Sequence, residues 1–477
     1  MSRTKYDVVV FGATGFTGRL VTRYLAAHPQ FTQGLFSFAI AARSQSKLHN
    51  LVQELSLPPT ITTLQLDVTD YQSVQAAVKS ARVVINTVGP YWSWGTPVVK
   101  ACAVNGVHYV DITGEDVWVR NTIRQFDYLA TKTGAIIVHS CGYDSIPSDL
   151  TAFVSNKTLK AHGTPFPRVV DGLSNKNSTG PYEIESSVTA QKAWGGASGG
   201  TLATVMNALE VVPREELRAT IDYSLSPVKG RALPVFQFLY NQSIPGEPTV
   251  HGGFFFMQPT NRKVVQRTFG LLEMQARYAE SSGANAKLLE AAQHERYGPS
   301  FAYDEFLVMP SRLSSVLVST SFAVLFGLLA LVAPFRWIVK KFIPQPGEGP
   351  SEEYYLFTTM KNGYFVSTNH TVSTSTPPVH VKTVFRGDRD PGYGATSIML
   401  AESALCLVLP PMSSNALHRP SDALPRGLPA LAVKGGVLTP MTAFGSVLVT
   451  RLLDTGRFSL ESSVVGEGAN GETRKNV

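Results

Sequence analysis

The sequence predicts an α/β protein whose first part is a doubly wound parallel sheet, followed by a part in which that alternation breaks and which carries one hydrophobic segment. Three observations predict it. Through the first 150 residues short apolar runs alternate with helical patterns, as expected of parallel strands joined by crossover helices. Past Leu150 the alternation gives way to polar and glycine-rich stretches. Further on, 23 consecutive residues, 313–335, carry no charge.

Residues 6–11 (YDVVVF) read as a strand buried on both faces. Gly12-Ala13-Thr14-Gly15-Phe16-Thr17-Gly18 follows at once, and 19–28 place Leu20, Val21, Tyr24 and Leu25 at helical spacing before Pro29. Strand, glycine turn and helix in that order form the context of a dinucleotide-binding turn, although the spacing is G-x-x-G-x-x-G and not G-x-G-x-x-G. Gly12 suits the tight turn, Gly15 the approach of backbone to a pyrophosphate, and Gly18 the packing of helix on strand. The phosphate would sit at the helix N-terminus, beside Thr14, Phe16 and Thr17. This is a Rossmann-type arrangement.

A second strand, 36–42, ends in Arg43-Ser44. An acidic residue there would bind the ribose 2′-hydroxyl of NAD(H), whereas Arg43 with Ser44 suits a 2′-phosphate, so NADP(H) is favoured over NAD(H). Strand patterns continue at 60–66, 82–88, 108–112 and 135–140, with helices near 73–80, 97–105 and 117–131, the last closed by Gly134.

Ligands on such sheets bind beyond the carboxyl ends of the strands. Besides the glycine turn, three clusters stand there: 86–91, 111–115 and 140–145. Asn86, Gly89 and Pro90 are assigned to the cofactor, Gly89 and Pro90 letting the backbone pass close to the nicotinamide ribose; an ordinary turn is the alternative. Asp111 and Glu115 are read as caps of the next helix in preference to a paired acid and base. Tyr143, Asp144 and Tyr91 are the candidate catalytic groups, with Tyr143 or Tyr91 as proton donor. His108 and His139 are read as sheet or core residues. No His-Glu-x-x-His pattern, nucleophile elbow or Walker loop occurs, and no metal site is predicted.

The runs 11–18 (FGATGFTG), 86–91 (NTVGPY), 109–115 (YVDITGE), 142–149 (GYDSIPSD) and 435–440 (GGVLTP) resemble the saccharopine dehydrogenase-like oxidoreductase family. That family also contains bacterial trans-acting enoyl reductases of polyketide lipid synthesis. The resemblance extends over nearly the whole chain. It implies a nicotinamide-binding fold, hydride transfer, and an inserted α+β substrate-side domain, whose glycine-rich loop at Gly199-Gly200-Thr201 either faces the cofactor cleft or is simply a flexible connection. The tyrosine-aspartate-serine motif at 143–145, the long midsection and the apolar segment depart from the saccharopine-cleaving enzymes themselves.

The resulting division is a nucleotide-binding domain over 1–150, an α+β substrate-side domain over 151–400, a helical return over 401–460 and a tail over 461–477. Strands are expected at 354–359 and 380–385 and a helix near 395–407. Segment 313–335 is long enough to span a bilayer, but its serines leave only 11 residues, 322–332, as a continuous apolar core. A single span would also separate parts that the resemblance packs together. A monotopic anchor over 313–341, cytosol-facing on a membrane or lipid-droplet surface, is therefore expected, with Trp337, Arg336, Lys340 and Lys341 at the headgroups. A buried core helix, or the interface of a homodimer, is the alternative.

The chain has 477 residues, 44% hydrophobic and 16% charged, which excludes a disordered protein and leaves room for two or three domains. Cys102, Cys141 and Cys406 form neither a disulfide framework nor a zinc motif. The net charge of +7 is spread thinly, so no nucleic-acid partner is expected, and no signal peptide precedes the first strand. Three functional readings follow: an NADP(H)-dependent oxidoreductase acting on a small hydrophobic or lipid-linked substrate at a membrane or lipid-droplet surface; an enoyl reductase acting in trans on a polyketide or acyl chain; and a non-catalytic scaffold or sensor that retains the nucleotide fold.

Overall fold

The computed structural model describes residues 5–162, 182–194, 206, 208–341, 363–413, 424–425 and 427–466. The first part runs β1 (Tyr6–Phe11), α1 (Phe16–Ala27), β2 (Phe38–Ala42), α2 (Gln45–Glu54), β3 (Thr62–Gln65), α3 (Tyr71–Lys79), β4 (Ala81–Asn86), α4 (Tyr91–Asn105), β5 (His108–Asp111), α5 (Asp116–Thr133), β6 (Ile136–Val138) and α6 (Ile146–His162). Then come β7 (Ile184–Trp194), β8 (Tyr240–Gln242), β9 (Val250–Gly253), α7 (Gln258–Ser281), β10 (Ala302–Met309), α8 (Arg312–Leu331), α9 (Ala333–Lys340), β11 (Tyr364–Ser373), β12 (His380–Gly387), α10 (Thr396–Leu405), β13 (Gly436–Leu438), α11 (Gly445–Asp454) and β14 (Phe458–Val464).

Seven strands form a parallel sheet in the order β13-β6-β5-β4-β1-β2-β3. Its central strand is apolar because helices cover both faces: Val8, Val9, Val10 and Phe11 have no exposed surface, whereas the edge strand β3 (TTLQ) is only partly buried. β1 pairs with β2 on one side and β4 on the other, so the strand order reverses there and a crevice opens beyond their carboxyl ends. The run 435–440 supplies β13, the edge strand beside β6.

Several boundaries differ from the sequence expectation, for local reasons. β4 stops at Asn86, not Val88, because Thr87 and Val88 leave the ladder to pack over the glycine turn. α4 begins at Tyr91, six residues before the expected start, and carries Pro97 inside it. The cap that lets it begin early comes from another element: Glu115 accepts hydrogen bonds from the backbone N–H groups of Tyr91 (2.7 Å) and Trp92 (2.8 Å). Glu115 thus caps α4 and not the helix that follows it, a correction to the reading above.

A second seven-stranded sheet has the order β14-β12-β11-β7-β10-β9-β8, antiparallel except for β7 with β10. α6 leaves the first sheet after β6 and lies across β11 and β12 of the second, joining the two. The expected strand at 354–359 and the loop Gly199-Gly200-Thr201 lie outside the described residues.

The C-terminal return is stapled to α1 by a buried ion pair. Arg451 donates from Nε to Glu402 (2.7 Å), from Nη2 to Gln30 (2.8 Å) and from Nη1 to the Pro410 carbonyl (2.7 Å), while Tyr24 and His28 also bond Glu402. Both partners are fully buried, which is tolerable only because every polar group is matched.

α8 inverts the usual helix pattern. Its serines face the protein: Ser315 and Ser319 are fully buried, and Ser319 Oγ accepts from the Phe254 N–H at 2.8 Å. Its aliphatic side chains face outward, with Leu313 70%, Leu317 57% and Leu331 86% exposed. This is not the buried core helix of the alternative reading. α9 folds back against its end, where Arg336 donates to the carbonyls of Leu329 (2.7 Å) and Ala330 (3.0 Å). Arg336 therefore caps the end of α8 while keeping its charge. Lys341 stacks over the exposed Trp337 ring at 3.6 Å.

Candidate active site

The glycine turn stands at the carboxyl end of β1, in the crevice where the strand order reverses. Gly12 has φ +79°, and a Cβ there would come within 2.8 Å of Thr87 Oγ1. A Cβ on Gly18 would collide with the Gly12 carbonyl oxygen. Gly15 ends the turn as the N-cap of α1, with no side-chain cap and no acidic residue in the first helical turn. The N-terminus of α1, beside Thr14 and Thr17, thus carries no acidic side chain, and its dipole favours an anion there. This cradle fits the pyrophosphate of a dinucleotide.

Arg43 is exposed just past β2, and Ser44 accepts from Lys47 N at 3.3 Å as the cap of α2. Both stand at the carboxyl end of β2, next to the strand that carries the glycine turn. Of the third cluster, Gly89 and Pro90 form the turn into α4. Asn86 is different: its side chain is fully buried, its Nδ2 donating to Tyr109 Oη (3.0 Å) and its Oδ1 accepting from Val88 N (3.0 Å). It shapes the turn after β4, and its amide is turned inward with no exposed surface. Tyr91 is likewise committed, its hydroxyl donating to the Asn86 carbonyl at 3.0 Å beneath the Trp118 ring.

Asp111 is the hub between β5 and β6. It accepts from Tyr109 Oη (2.9 Å), Thr113 N (3.0 Å) and Ser140 N (3.0 Å), and pairs with His139 Nδ1 (2.7 Å). His139 Nε2 meets Thr122 Oγ1 at 2.8 Å, a core role as expected. Asp111 therefore holds the loop that presents the next cluster instead of capping α5.

That loop, 140–145, carries Tyr143 and Asp144. The segment 391–396 ties it to the glycine turn: Tyr143 N donates to Thr396 Oγ1 at 3.0 Å, while the Tyr393 ring packs edge-on against Phe16, centroids 4.5 Å apart. Tyr143, 7% exposed, packs at a tilt against Phe365 of β11 with ring centroids 5.0 Å apart, and its hydroxyl has no hydrogen-bond partner among the described residues. Burial first, then the charges of Glu305 and Asp144, push its ionisation far above the usual tyrosine range. Asp144 is partly exposed, and desolvation lifts its carboxyl to about 6.

Behind Tyr143 lies a feature that the sequence reading missed. The face of the second sheet turned toward α6 is polar where a core would be apolar, and its centre is Glu305, fully buried on β10. Glu305 accepts from Asn261 Nδ2 (2.6 Å), Ser148 Oγ (2.7 Å), Tyr303 Oη (2.9 Å) and Gln191 Nε2 (3.4 Å). Ser145 joins through Asn261 Oδ1 at 3.4 Å. The available signal was an acidic pair, Asp304-Glu305, inside a strand-like run, 302–309, that was not read as a strand.

Comparison with known proteins adds a second line. The family profile described as the saccharopine dehydrogenase NADP binding domain matches residues 8–138. A Mycobacterium tuberculosis protein named for trans-acting enoyl reductase activity is 31% identical over 464 residues, 94% of this chain and 95% of its own. A trans-acting enoyl reductase of Mycobacterium bovis is 29% identical over 472 residues, 95% of this chain and 96% of its own. The solved saccharopine dehydrogenase (L-Glu forming) of Saccharomyces cerevisiae aligns with 96% of this chain and 100% of its own, at 12% identity and a TM-score of 0.45.

Proposed function

The chain belongs to the saccharopine dehydrogenase-like oxidoreductases, and from that premise we propose that it is an NADPH-dependent enoyl reductase of an acyl or polyketide chain presented in trans. The observation that carries the reading is the linkage, through residues 391–396, of the glycine cradle at the end of β1 to a buried tyrosine hydroxyl at the end of β6 that has no hydrogen-bond partner among the described residues. Relatives named for this activity match end to end, which supports it over the broader lipid oxidoreductase reading.

Gly12, Gly15, Gly18 and the N-terminus of α1 would hold the dinucleotide, with Arg43 and Ser44 at its 2′-phosphate. The nicotinamide, when bound, supplies the hydride. The chain's own part is to fix the acyl carbonyl and complete the reduction. As one alkene carbon gains hydride, the π electrons move toward the carbonyl. Tyr143 then gives its proton to the other carbon, its O–H bond breaking as the new C–H bond forms. Asp144, at the partly exposed rim, would orient the substrate.

The setting belongs to the same reading: a hydrophobic substrate met at a membrane or lipid-droplet surface through residues 313–341. The outward aliphatic face of α8 and the exposed Trp337 support it. Among the described residues α8 is the one helix long and apolar enough to cross a membrane by length and composition, yet its serine seam is packed on β9. That favours a helix lying on the surface.

The test is NADPH oxidation with trans-2-enoyl N-acetylcysteamine thioesters of 4, 12 and 16 carbons. We expect turnover rising with chain length and reduced at least tenfold in Tyr143→Phe, with NADPH binding unchanged. NADPH binding with no oxidation on any of the three thioesters would refute the reading.

A further inference from the structure

Resting on the proposed reduction, we propose that the aromatic rings between α8 and the segment 254–257 form a track that carries the hydrocarbon chain of an acyl thioester from the outward face of α8 to the space beside Gly114, with Phe256, Phe322 and Phe326 selecting chain length.

The seam between α8 and β9 changes character along the helix. At its start small residues bring the backbones together: a Cβ on Gly253 would lie 2.7 Å from the Ser315 carbonyl oxygen, and Ser319 Oγ accepts from the Phe254 N–H at 2.8 Å. One turn on, rings replace hydroxyls. Phe322 and Phe326, four residues apart and so on one face of the helix, stack with centroids 5.9 Å apart. Phe322 meets Phe256 at 6.2 Å and Phe254 at 6.0 Å, and Phe256 meets Phe255 at 5.5 Å. Side chains of that bulk hold a helix farther from its neighbour than serine does, and ring faces fill the gap.

Burial grades along the same line. Leu325 and Leu328 of α8 are exposed, Phe322, Phe326 and Phe256 are half-buried, and Phe255 and Met257 are buried, in the apolar cluster that also holds Tyr143 and Phe365. The line ends at Met257. Its Cε, at 3.9 Å, is the nearest atom among the described residues to a Cβ built on Gly114, apart from that glycine's own chain neighbours, so the space beside Gly114 is open. Gly114 belongs to the loop after β5, and Ser140 Oγ donates to the carbonyl of the adjoining Thr113 at 2.6 Å, which ties this loop to the one that bears Tyr143. Met257 is unbranched, so its thioether can swing aside as a chain arrives.

The occupant follows from what the rings present. Phenylalanine offers no donor, acceptor or charge, so this surface suits a hydrocarbon chain and rejects a sugar or an amino acid, whose polar groups would be buried without partners. A carbon chain advances roughly 1.3 Å per bond, given C–C bonds of about 1.5 Å. A 4-carbon chain therefore covers about 4 Å, less than one ring-to-ring step, whereas a 16-carbon chain covers about 19 Å and reaches Phe255, Phe256, Phe322 and Phe326 in turn. Every chain meets Gly114, and only long ones meet the outer rings.

A probe that cannot be reduced tests the track apart from the reaction. The full-length protein is photolabelled with a saturated 16-carbon acyl N-acetylcysteamine thioester that carries a diazirine near its methyl end, and the labelled residues are mapped by mass spectrometry. Label is expected at Phe256, Phe322 or Phe326. Label confined to the outward residues Leu313, Leu317 and Leu331, or no label on α8 and 254–257, overturns the proposal. In turnover, Phe322→Ala and Phe326→Ala should each lower the preference for the 16-carbon over the 4-carbon enoyl thioester, as kcat/KM, at least fivefold. An equal change at both lengths makes the rings packing for α8 only. Gly114→Leu fills the inner end and should lower turnover at least tenfold on every thioester with the melting temperature kept; wild-type turnover in this variant overturns the assignment of that end. Inactivity of the wild-type protein on every thioester would fall on the enoyl-reductase reading, while the label map still decides whether the rings hold an acyl chain.

Discussion

A Cβ on Gly18 would strike the carbonyl oxygen of Gly12 and come 2.8 Å from Ala13 Cα, both backbone atoms with nowhere to go. Gly18→Ala should therefore reopen the turn and weaken NADPH binding by tenfold or more, about 1.4 kcal/mol, in a fluorescence titration. Gly34, which also has a positive φ but open space around it, is the control: Gly34→Ala should leave binding unchanged. Arg43→Ala should lower affinity for NADPH while sparing NADH, since the guanidinium would meet only the 2′-phosphate. The glycines were legible because a tight turn expresses a backbone requirement that is local in sequence. Asn86 and Tyr91 were misplaced for the complementary reason. Position at a strand end does not fix where a side chain points, and both turn inward, to Tyr109 and to the chain's own backbone.

At the scale of elements, the parallel strands were readable because burial on both faces writes itself as continuous Val and Ile runs. β7, β10 and β11 were not, since their inward positions carry Ser187, Thr189, Gln191, Glu305, Ser367 and Asn369, residues that read as loop. α8 was visible as an apolar run, but only the structure separates its two faces. That separation makes a paired prediction. Leu317→Glu with Leu328→Glu changes exposed side chains and should shift the melting temperature little, yet abolish flotation of the protein with phosphatidylcholine–phosphatidylserine vesicles. Ser319→Leu puts bulk where Ser319 Oγ lies 3.1 Å from the position of a Gly253 Cβ. It should cost about 1–3 kcal/mol in thermal unfolding and leave the outward face intact. Flotation of the double glutamate variant equal to that of wild type would remove the surface-anchor reading.

Across the whole molecule, the two sheets and the C-terminal return are locked by carboxyls whose partners come from distant parts of the chain. Asp149, at the start of α6, accepts from Thr268 Oγ1 on α7 (2.6 Å) and from the Met441 N–H (3.0 Å). Burial outweighs those bonds and lifts its carboxyl to about 7. In the unfolded chain an aspartate titrates near 3.9, so between about pH 4 and 7 the folded state binds the extra proton and stability declines as pH rises. Glu305 acts with the same sign. Glu402 acts with the opposite one: burial raises it, but the Arg451 guanidinium and the bonds from His28 and Tyr24 prevail and hold it low, so its contribution is present above about pH 4 and lost on further acidification. The two trends cross, and the melting temperature should peak on the acid side of neutrality, at about pH 5, and fall toward pH 8. Asp149→Asn keeps an acceptor for Met441 or Thr268 but cannot ionise. Its melting temperature should therefore fall less between pH 5 and 8 than that of wild type, and an equal fall would show that Asp149 is already ionised in the folded protein at pH 5.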